Sequence, residues 1–327
     1  MSMSLLKKTA ILLSLSTFTF AQWDTLCPNQ HGGPYTSWNE TRCPSDRATC
    51  CPSGFNPSGV GCCPFTNAIC CPGSQFACCP QGTTCSLVTG SGYNSRYNCT
   101  SSEGYTQINK ATCKSGPPLP MSTTLKNVLW IGDSLSLGMI PHVAANLSDI
   151  ALVQHAPWGQ DGGAEETTYG LYCLDYFLHS ASGMSIKPDL ILFNFGMHDG
   201  PMFNDTFPGQ NAPPDNYNAE LQAITSALQT YAANWNSKLV FAHTTPYICT
   251  AQQDGCVQTL NNWADEIMAT AGIPVLSTYE AVITKCGKAP QTSCFNETGC
   301  WCPHCTDTGY QYLANTVVSP GLRAMLL

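Results

Sequence analysis

Hydrophobic residues in the second two-thirds of the chain form short apolar runs, separated by longer stretches in which apolar residues recur at helical spacing. Strands that alternate with helices predict a parallel sheet covered by helices on both faces. We therefore expect residues 126–327 to form one α/β domain of three layers. The first predicted strand ends at Ile131, and the others cover 150–153, 190–195, 239–242 and 273–276; the predicted helices cover 135–146, 171–178, 217–235, 260–271 and 309–318.

The first of these strands ends abruptly in Gly132-Asp133-Ser134. A serine in this position lies at the carboxyl end of a strand, where open α/β sheets bind their ligands. It also lies at a helix N-terminus, whose free N–H groups suit a developing oxyanion. On this stretch alone, an N-cap serine or an ordinary turn remains the alternative.

Other polar elements follow the later strands. The glycine-rich loop 157–163, His198 and the segment 244–246 each come after a predicted strand, and His304 precedes the last helix. The carboxyl ends of parallel strands meet at one edge of a sheet, so these elements should converge there. A serine and a histidine at that edge suggest a nucleophile and its base.

Cysteine dominates the amino-terminal part. Twelve of the 21 cysteines lie between Cys27 and Cys99, as two single residues, four adjacent pairs and two further single residues. Residues 23–99 contain too few aliphatic side chains for an adequate core, so crosslinks must replace it. Adjacent cysteines in a strand point to opposite faces, so a ladder of short hairpins can bond each pair in both directions.

Residues 1–21 have the layout of a secretory signal peptide, because Lys7 and Lys8 precede a short apolar run. We therefore expect a secreted, extracellular protein in which cysteines form disulfides rather than metal sites. A net charge of −8 and the lack of a later long apolar stretch predict neither a nucleic-acid nor a membrane partner. Five sequons predict a glycoprotein: Asn39, Asn98, Asn146, Asn204 and Asn296.

Residues 100–125 are rich in serine, threonine, glycine and proline, which predicts a linker between the two parts. Cys113 lies within it and has no obvious partner. Nine cysteines fall outside the amino-terminal module, so at least one should be unpaired or intermolecular. We expect Cys249 and Cys256 to close a local loop.

The cysteine order, with phrases such as Cys62-Cys63-Pro64 and Cys78-Cys79-Pro80, resembles the granulin (epithelin) module. The spacings from Cys27 to Cys43 and from Cys85 to Cys99 are long for that family. The resemblance implies a stack of β-hairpins and a binding or signalling role, with a protein or glycan as partner. A protease-resistant spacer is the alternative.

Three blocks of residues 126–327 resemble the SGNH (GDSL-type) hydrolases: Ile131-Gly132-Asp133-Ser134-Leu135, Gly196-Met197-His198-Asp199, and the segment that begins at His304. The resemblance implies a flavodoxin-like three-layer fold, Ser134 as nucleophile and His304 as base. It implies no cofactor and no metal.

The same resemblance assigns an oxyanion hole. Its donors would be the Ser134 N–H, a glycine N–H of the 157–163 loop, which is Gly159 or Gly162, and the His198 side chain in place of the family's asparagine. We expect the substrate to be bound by residues beside these donors, namely Asp133, Asp199 and Thr245.

One position departs from the family pattern, because Trp301 stands where an aspartate usually precedes the catalytic histidine. Three alternatives follow. His304 is oriented by a backbone carbonyl in a Ser–His dyad, or an acid from elsewhere, such as Asp307, takes the aspartate's place, or the enzyme is inactive. A zinc site built from His304 and the cysteines of 300–305 is a competing interpretation.

The favoured prediction is a secreted serine esterase that hydrolyses small acyl esters, such as acetyl groups on polysaccharides, with an acylated small molecule or carbohydrate as substrate. The alternative is a catalytically inactive secreted protein in which the granulin-like module carries a binding or signalling activity. A metal or redox protein is a third interpretation.

Overall fold

The computed structural model describes residues 25–27, 41–53, 59–74, 77–89, 96–102, 106–108, 110–111, 113–114, 116–117, 121–158, 163–180, 184–200, 214–290, 294 and 303–327. The predicted signal peptide lies outside these residues, as do three sequons, Asn39, Asn204 and Asn296.

The amino-terminal part consists of short antiparallel strands, as the hairpin interpretation predicts. Eight of its ten strands are only two or three residues long, so the strands alone provide little cooperative stability. The strands are β1 (Thr25–Leu26), β2 (Arg42–Cys43), β3 (Cys50–Pro52), β4 (Val60–Cys62), β5 (Ile69–Cys70), β6 (Ala77–Cys79), β7 (Thr83–Thr89), β8 (Arg96–Ser101), β9 (Thr106–Ile108) and β10 (Lys110–Ala111).

Disulfides crosslink the hairpins in the predicted ladder. In each adjacent cysteine pair, the first residue bonds backward along the chain and the second bonds forward, which confirms that all twelve are paired within the module. The bonds are Cys27–Cys50, Cys43–Cys62, Cys51–Cys70, Cys63–Cys78, Cys71–Cys85 and Cys79–Cys99.

The segment 100–125 differs from the predicted linker. Strand β9 pairs with β8, and β10 pairs with β6, so the hairpin module continues past Cys99. Cys113 forms a disulfide with Cys173 in the α/β domain. We call residues 113–114 the connector, because they join the two parts through covalent and polar contacts.

The two parts also pack against each other. Arg47 of the module forms an ion pair of 2.6 Å with Asp175 and lies 5.7 Å from the centre of the Tyr176 ring. The Phe65 and Tyr172 rings meet edge to face, with their centres 5.9 Å apart. The module and the α/β domain therefore form one continuous packed unit.

The larger domain contains a five-stranded sheet in which every neighbouring pair is parallel. The strand order β12-β11-β13-β14-β15 is the flavodoxin-like order, which confirms the predicted fold. Its topological switch point lies at β11, between β12 and β13. The strands are β11 (Lys126–Ile131), β12 (Ala151–Ala156), β13 (Leu190–Phe193), β14 (Lys238–Ala242) and β15 (Val275–Leu276).

Helices cover both faces of the sheet. Side chains of β11 alternate, so Leu129 and Ile131 pack with one helical layer while Val128 and Trp130 pack with the other. Among the described helices, none has the combination of length and apolar character that a membrane crossing requires. The helices are α1 (Ser134–Asn146), α2 (Thr167–Phe177), α3 (Pro214–Trp235), α4 (Ala251–Ala271), α5 (Thr278–Cys286), which was not predicted, α6 (Asp307–Leu313) and α7 (Ser319–Leu326), with a π-helical turn (Ala314–Val318) between the last two.

The predicted Cys249–Cys256 bond is wrong, because Cys249 is paired elsewhere and Cys256 is a free thiol. Helix α4 begins nine residues earlier than predicted, at Ala251, since the Thr250 hydroxyl accepts a hydrogen bond from the Gln253 N–H at 3.3 Å. Cys256 therefore lies within a helix. With Cys305, it gives two free thiols among the described residues, which confirms that not all nine outer cysteines are paired.

Replacing both Cys113 and Cys173 with serine should lower the free energy of unfolding by about 2–4 kcal/mol, because their disulfide closes a long loop in the unfolded chain. Urea denaturation followed by tryptophan fluorescence measures the change. Cys256→Ser is the matched control and should shift the midpoint far less. Equal midpoints for the double variant and the native protein would contradict this role of the crosslink.

Candidate active site

Ser134 is the first residue of α1 and follows β11 at the switch point of the sheet. The turn is ordered by Asp133, whose carboxylate accepts a hydrogen bond from the Leu135 N–H at 3.0 Å. The backbone N–H groups of the first helical turn have no acceptor within the helix. Ser134 therefore combines a partly exposed hydroxyl with an N–H at the positive end of α1.

The structure brings His304 to this serine. His304 Nε2 lies 2.7 Å from Ser134 Oγ, although the two residues are 170 positions apart in the chain. His304 precedes α6, whose first turn is capped by the Thr306 hydroxyl, which accepts from the Gly309 N–H at 3.3 Å. Both residues are partly exposed, so the predicted nucleophile and the predicted base meet where solvent can reach them.

The turn before Ser134 is closely packed. A Cβ atom on Gly132 would lie 2.1 Å from Asn194 Oδ1 and 2.5 Å from Ser136 Oγ. Asn194 is itself fixed, because its side-chain oxygen accepts a hydrogen bond from the buried Trp130 indole N–H at 3.1 Å. Only glycine fits at position 132, so the path of the chain into Ser134 is set by its neighbours.

His198 lies in a short 3₁₀ turn (Met197–Asp199) after β13, the neighbour of β11. Gly196 before it has φ +146°, a conformation that side chains rarely adopt. The Nε2 atom of His198 is buried and has no hydrogen-bond partner among the described residues. A buried ring nitrogen without a partner is available to a ligand oxygen.

The two predicted oxyanion glycines, Gly159 and Gly162, lie outside the described residues. Gly163, the last residue of the same loop, packs against the turn Gly132-Asp133-Ser134, which we call the nucleophile turn. A Cβ on Gly163 would lie 2.3 Å from the Gly132 carbonyl oxygen. It has φ +57°, so both its conformation and its surroundings favour glycine. Sequence reasoning missed this residue because three glycines compete within one short loop.

Asp199 is fully buried and serves the adjacent helix. Its Oδ1 accepts from the backbone N–H of Thr167 at 2.9 Å and contacts the Thr167 hydroxyl. That hydroxyl also contacts Glu220 at 2.8 Å, yet it carries a single proton. A proton on Asp199 satisfies both contacts, and burial raises the pKa of Asp199 to about 7.

The three predicted substrate-binding residues are all buried, with Asp133 1%, Asp199 0% and Thr245 2% exposed. Asp133 caps α1 and Asp199 holds α2, so their hydrogen bonds explain them as structural residues. Thr245 follows β14, and its hydroxyl has no partner within the described part of the chain. In this conformation none of the three offers surface to a substrate, which departs from the expectation.

Asp307, considered as the acid for the base, is 86% exposed and contacts another histidine instead: its Oδ1 lies 2.9 Å from His142 Nε2. Trp301 and two of the cysteines of the alternative zinc set, Cys300 and Cys302, lie outside the described residues. Cys305 is a free thiol whose pKa is raised to about 12 by burial.

Comparison with known protein families gives a match to the amino-terminal module. A granulin family model matches residues 56–91, within the crosslinked module. No curated protein matches the chain.

Several solved structures are similar to the larger domain. A lipase/acylhydrolase from Enterococcus faecalis is 17% identical, with 58% of this chain and 92% of that chain covered and a TM-score of 0.43. The acetyl xylan esterase AlAXEase is 16% identical, with 58% and 96% covered and a TM-score of 0.44. A catalytic mutant of an acetylxylan esterase from Geobacillus stearothermophilus is 14% identical, with 60% and 93% covered and a TM-score of 0.45.

The strand order, the disulfide ladder and the serine–histidine contact together define the class of protein. The chain joins a granulin-like disulfide ladder to a flavodoxin-like α/β domain that carries a serine–histidine pair at its switch point. The fold is assigned from the sheet itself, since each of these similarities has a TM-score below 0.5.

The buried carboxyl of Asp199 should give stability a distinctive pH dependence. In the unfolded chain the carboxyl loses its proton near its ordinary pKa of 3.8, whereas the folded protein holds the proton to about pH 7. Between these two pKa values, the free energy of unfolding of the native protein should therefore fall as the pH rises, relative to that of Asp199→Asn. The fall should be up to about 1.4 kcal/mol per pH unit, and it should stop above the pKa of the folded protein.

Urea denaturation of both proteins at a series of pH values measures this difference. Asp149→Asn is the control, because Arg323 lowers the pKa of Asp149 and its contribution changes only below that window. A constant difference between native protein and Asp199→Asn from about pH 4 to pH 7 would show that Asp199 is ionised when folded.

Proposed function

We propose that the larger domain is a serine esterase with Ser134 as nucleophile and His304 as general base. The observation that carries the proposal is the 2.7 Å contact between Ser134 Oγ and His304 Nε2 at the amino end of α1. The pair is partly exposed, and it lies at the switch point where this fold binds ligands.

In the first step, the Ser134 oxygen attacks the carbonyl carbon of an ester while its proton passes to His304 Nε2. The tetrahedral intermediate collapses, the ester's C–O bond breaks, and the leaving alcohol takes the proton from His304. Water then attacks the acyl-enzyme, gives a proton to His304, and releases the carboxylic acid as Ser134 regains its proton. These steps use only protein groups and water.

The developing oxyanion would be held by three donors: the Ser134 N–H, an N–H from the 157–163 loop, and the His198 ring. The buried Nε2 of His198, which lacks a protein partner in the described part of the chain, supports its place in this set. Donors that are already oriented stabilise the negative charge of the transition state without reorganisation, and in many acyl transfers this stabilisation contributes most of the rate enhancement.

For the substrate we propose small acyl esters, with acetyl groups on extracellular polysaccharides as the leading class. The support is the resemblance of the Gly-Asp-Ser and His304 segments to SGNH hydrolases, together with the predicted signal peptide. For the granulin-like module we propose a protein or glycan partner, on the strength of its family match.

Ser134→Ala should abolish hydrolysis of p-nitrophenyl acetate, with kcat falling by about 10³-fold or more, because the acyl-enzyme cannot form. Ser226→Ala, which changes an exposed serine within α3, should keep the native rate. Native rates for Ser134→Ala would show that any ester hydrolysis arises elsewhere.

A fluorophosphonate probe decides between the enzyme and the inactive binding protein. Covalent labelling that disappears in Ser134→Ala and persists in Ser226→Ala supports the esterase. An unlabelled native protein would favour the alternative, in which the granulin-like module carries the activity.

Replacing His198 with alanine should lower kcat by about 10²-fold to 10³-fold, since one oxyanion donor is lost. Asparagine at the same position presents an N–H group and should retain a larger part of the rate. His243→Ala, which removes a largely buried ring paired with the exposed carboxylate of Asp265, is the matched control. If kcat for His198→Ala equals that of the control, His198 does not contact the oxyanion.

A further inference from the structure

The connector contains a fully buried cation, Lys114, whose side chain is 0% exposed. Its neighbour Cys113 is bonded to Cys173 of α2, and its own backbone N–H donates to the Tyr169 hydroxyl at 2.9 Å. A residue from outside the α/β domain is therefore fixed inside it.

The Lys114 ammonium is satisfied by the chain that follows the glycine-rich loop. Its Nζ donates to the Gly163 carbonyl at 2.9 Å and forms an ion pair with the Glu165 carboxylate. A buried charge is tolerated only with such partners, so the positions of Lys114 and of residues 163–165 depend on each other.

The same residues pack directly on the nucleophile turn. The Ala164 N–H donates to the Gly132 carbonyl at 2.8 Å, and a Cβ on Gly163 would lie 2.7 Å from Asp133 Cα. Any displacement of Gly163–Ala164 would therefore change the packing around Ser134.

The start of the loop is fixed as well. The buried ring of His155 contacts the Pro157 carbonyl through Nδ1 at 2.8 Å and the Ser136 hydroxyl through Nε2 at 2.7 Å. Ser136 belongs to the first turn of α1. Both ends of the loop 157–163 are thus bonded to elements beside Ser134: Pro157 through His155 to α1, and Ala164, just after the loop, directly to the Gly132 carbonyl. Lys114 holds the second end from the side of the connector.

We propose that Lys114 is a positioning residue, which holds Gly163–Glu165 against the Gly132–Asp133 turn and so keeps the nucleophile and the loop in register for catalysis. This inference rests on the proposed esterase function. It makes the connector, and through it the disulfide to α2, part of the working active site.

Lys114→Met keeps the length of the side chain and removes its charge. It should lower kcat for p-nitrophenyl acetate by about 10-fold to 100-fold, because small misplacements of reacting groups are costly, while KM changes by about twofold or less. Lys114→Arg retains a donor and should recover part of the lost rate. The matched control is Lys126→Met, which removes an exposed lysine–aspartate pair at the opposite end of β11.

Hydrogen exchange followed by mass spectrometry gives a readout that does not need activity. Backbone amides of 132–134 and 163–166 should exchange faster in Lys114→Met than in the native protein and in Lys126→Met. If Lys114→Met does not fold, the Cys113→Ser/Cys173→Ser variant, which loosens the same connector, should show the same loss of kcat and the same faster exchange.

Unchanged kcat together with unchanged exchange at these amides would overturn the proposal. A loss of kcat in Lys114→Met that is recovered when the assay is run well below the melting temperature of the variant would also overturn it, because that pattern is general destabilisation. A native protein without esterase activity would refute the proposed function instead, and exchange alone would then decide the role of Lys114.

Discussion

The turn Gly132-Asp133-Ser134 leaves no space for side chains at the points where neighbouring segments meet it. The Asn194 side chain, which follows β13, packs against Gly132. Gly163, in the connection after β12, packs against the Gly132 carbonyl. This close approach at the switch point lets three connections of the sheet surround one hydroxyl. Interiors packed at such density transmit small shifts, so the geometry at Ser134 depends on all of these segments together.

The stability of the amino-terminal module has a different origin. Its strands are short and its aliphatic residues few, so six disulfides hold the hairpins in place of a large core. The module packs against α2 through Arg47 and Phe65. A crosslinked module has little conformational entropy left to lose, so packing against the α/β domain costs it little entropy.

The sequence alone was enough to predict the structure where a local pattern has only one physical solution. Alternating apolar runs predicted the parallel sheet, adjacent cysteines predicted the ladder, and a Gly-Asp-Ser turn after a strand predicted the position of Ser134. The disulfide between the two parts of the chain was not predicted: Cys113 has no obvious partner in the sequence, because Cys173 is 60 positions away and no motif links the two. The Cys249–Cys256 bond was predicted only because the two residues are close in sequence. Helix α4, capped by Thr250, begins between them, and Cys256 is a free thiol within it.

Lys114 illustrates the same limit at the site. A single lysine in a segment rich in glycine, serine and proline is typical of a solvated linker, and apart from the cysteine beside it nothing local indicates burial. Its burial follows only once the disulfide beside it and the acceptors at Gly163 and Glu165 are known. The adjacent cysteine was the one available signal, because a crosslink fixes the residue next to it.

The domain contains a second serine–histidine contact of equal length, which shows that distance alone does not make a catalytic pair. Ser136 and His155 also meet at 2.7 Å, but both are buried, and burial lowers the pKa of His155 to about 4. An imidazole with that pKa is a poor proton acceptor at neutral pH, and no substrate can reach its serine. Ser134 and His304 differ in being partly exposed at the sheet edge, with a helix N-terminus beneath the oxygen. Position and solvent access, rather than the contact itself, are therefore the grounds on which we propose catalysis for one pair and loop anchoring for the other.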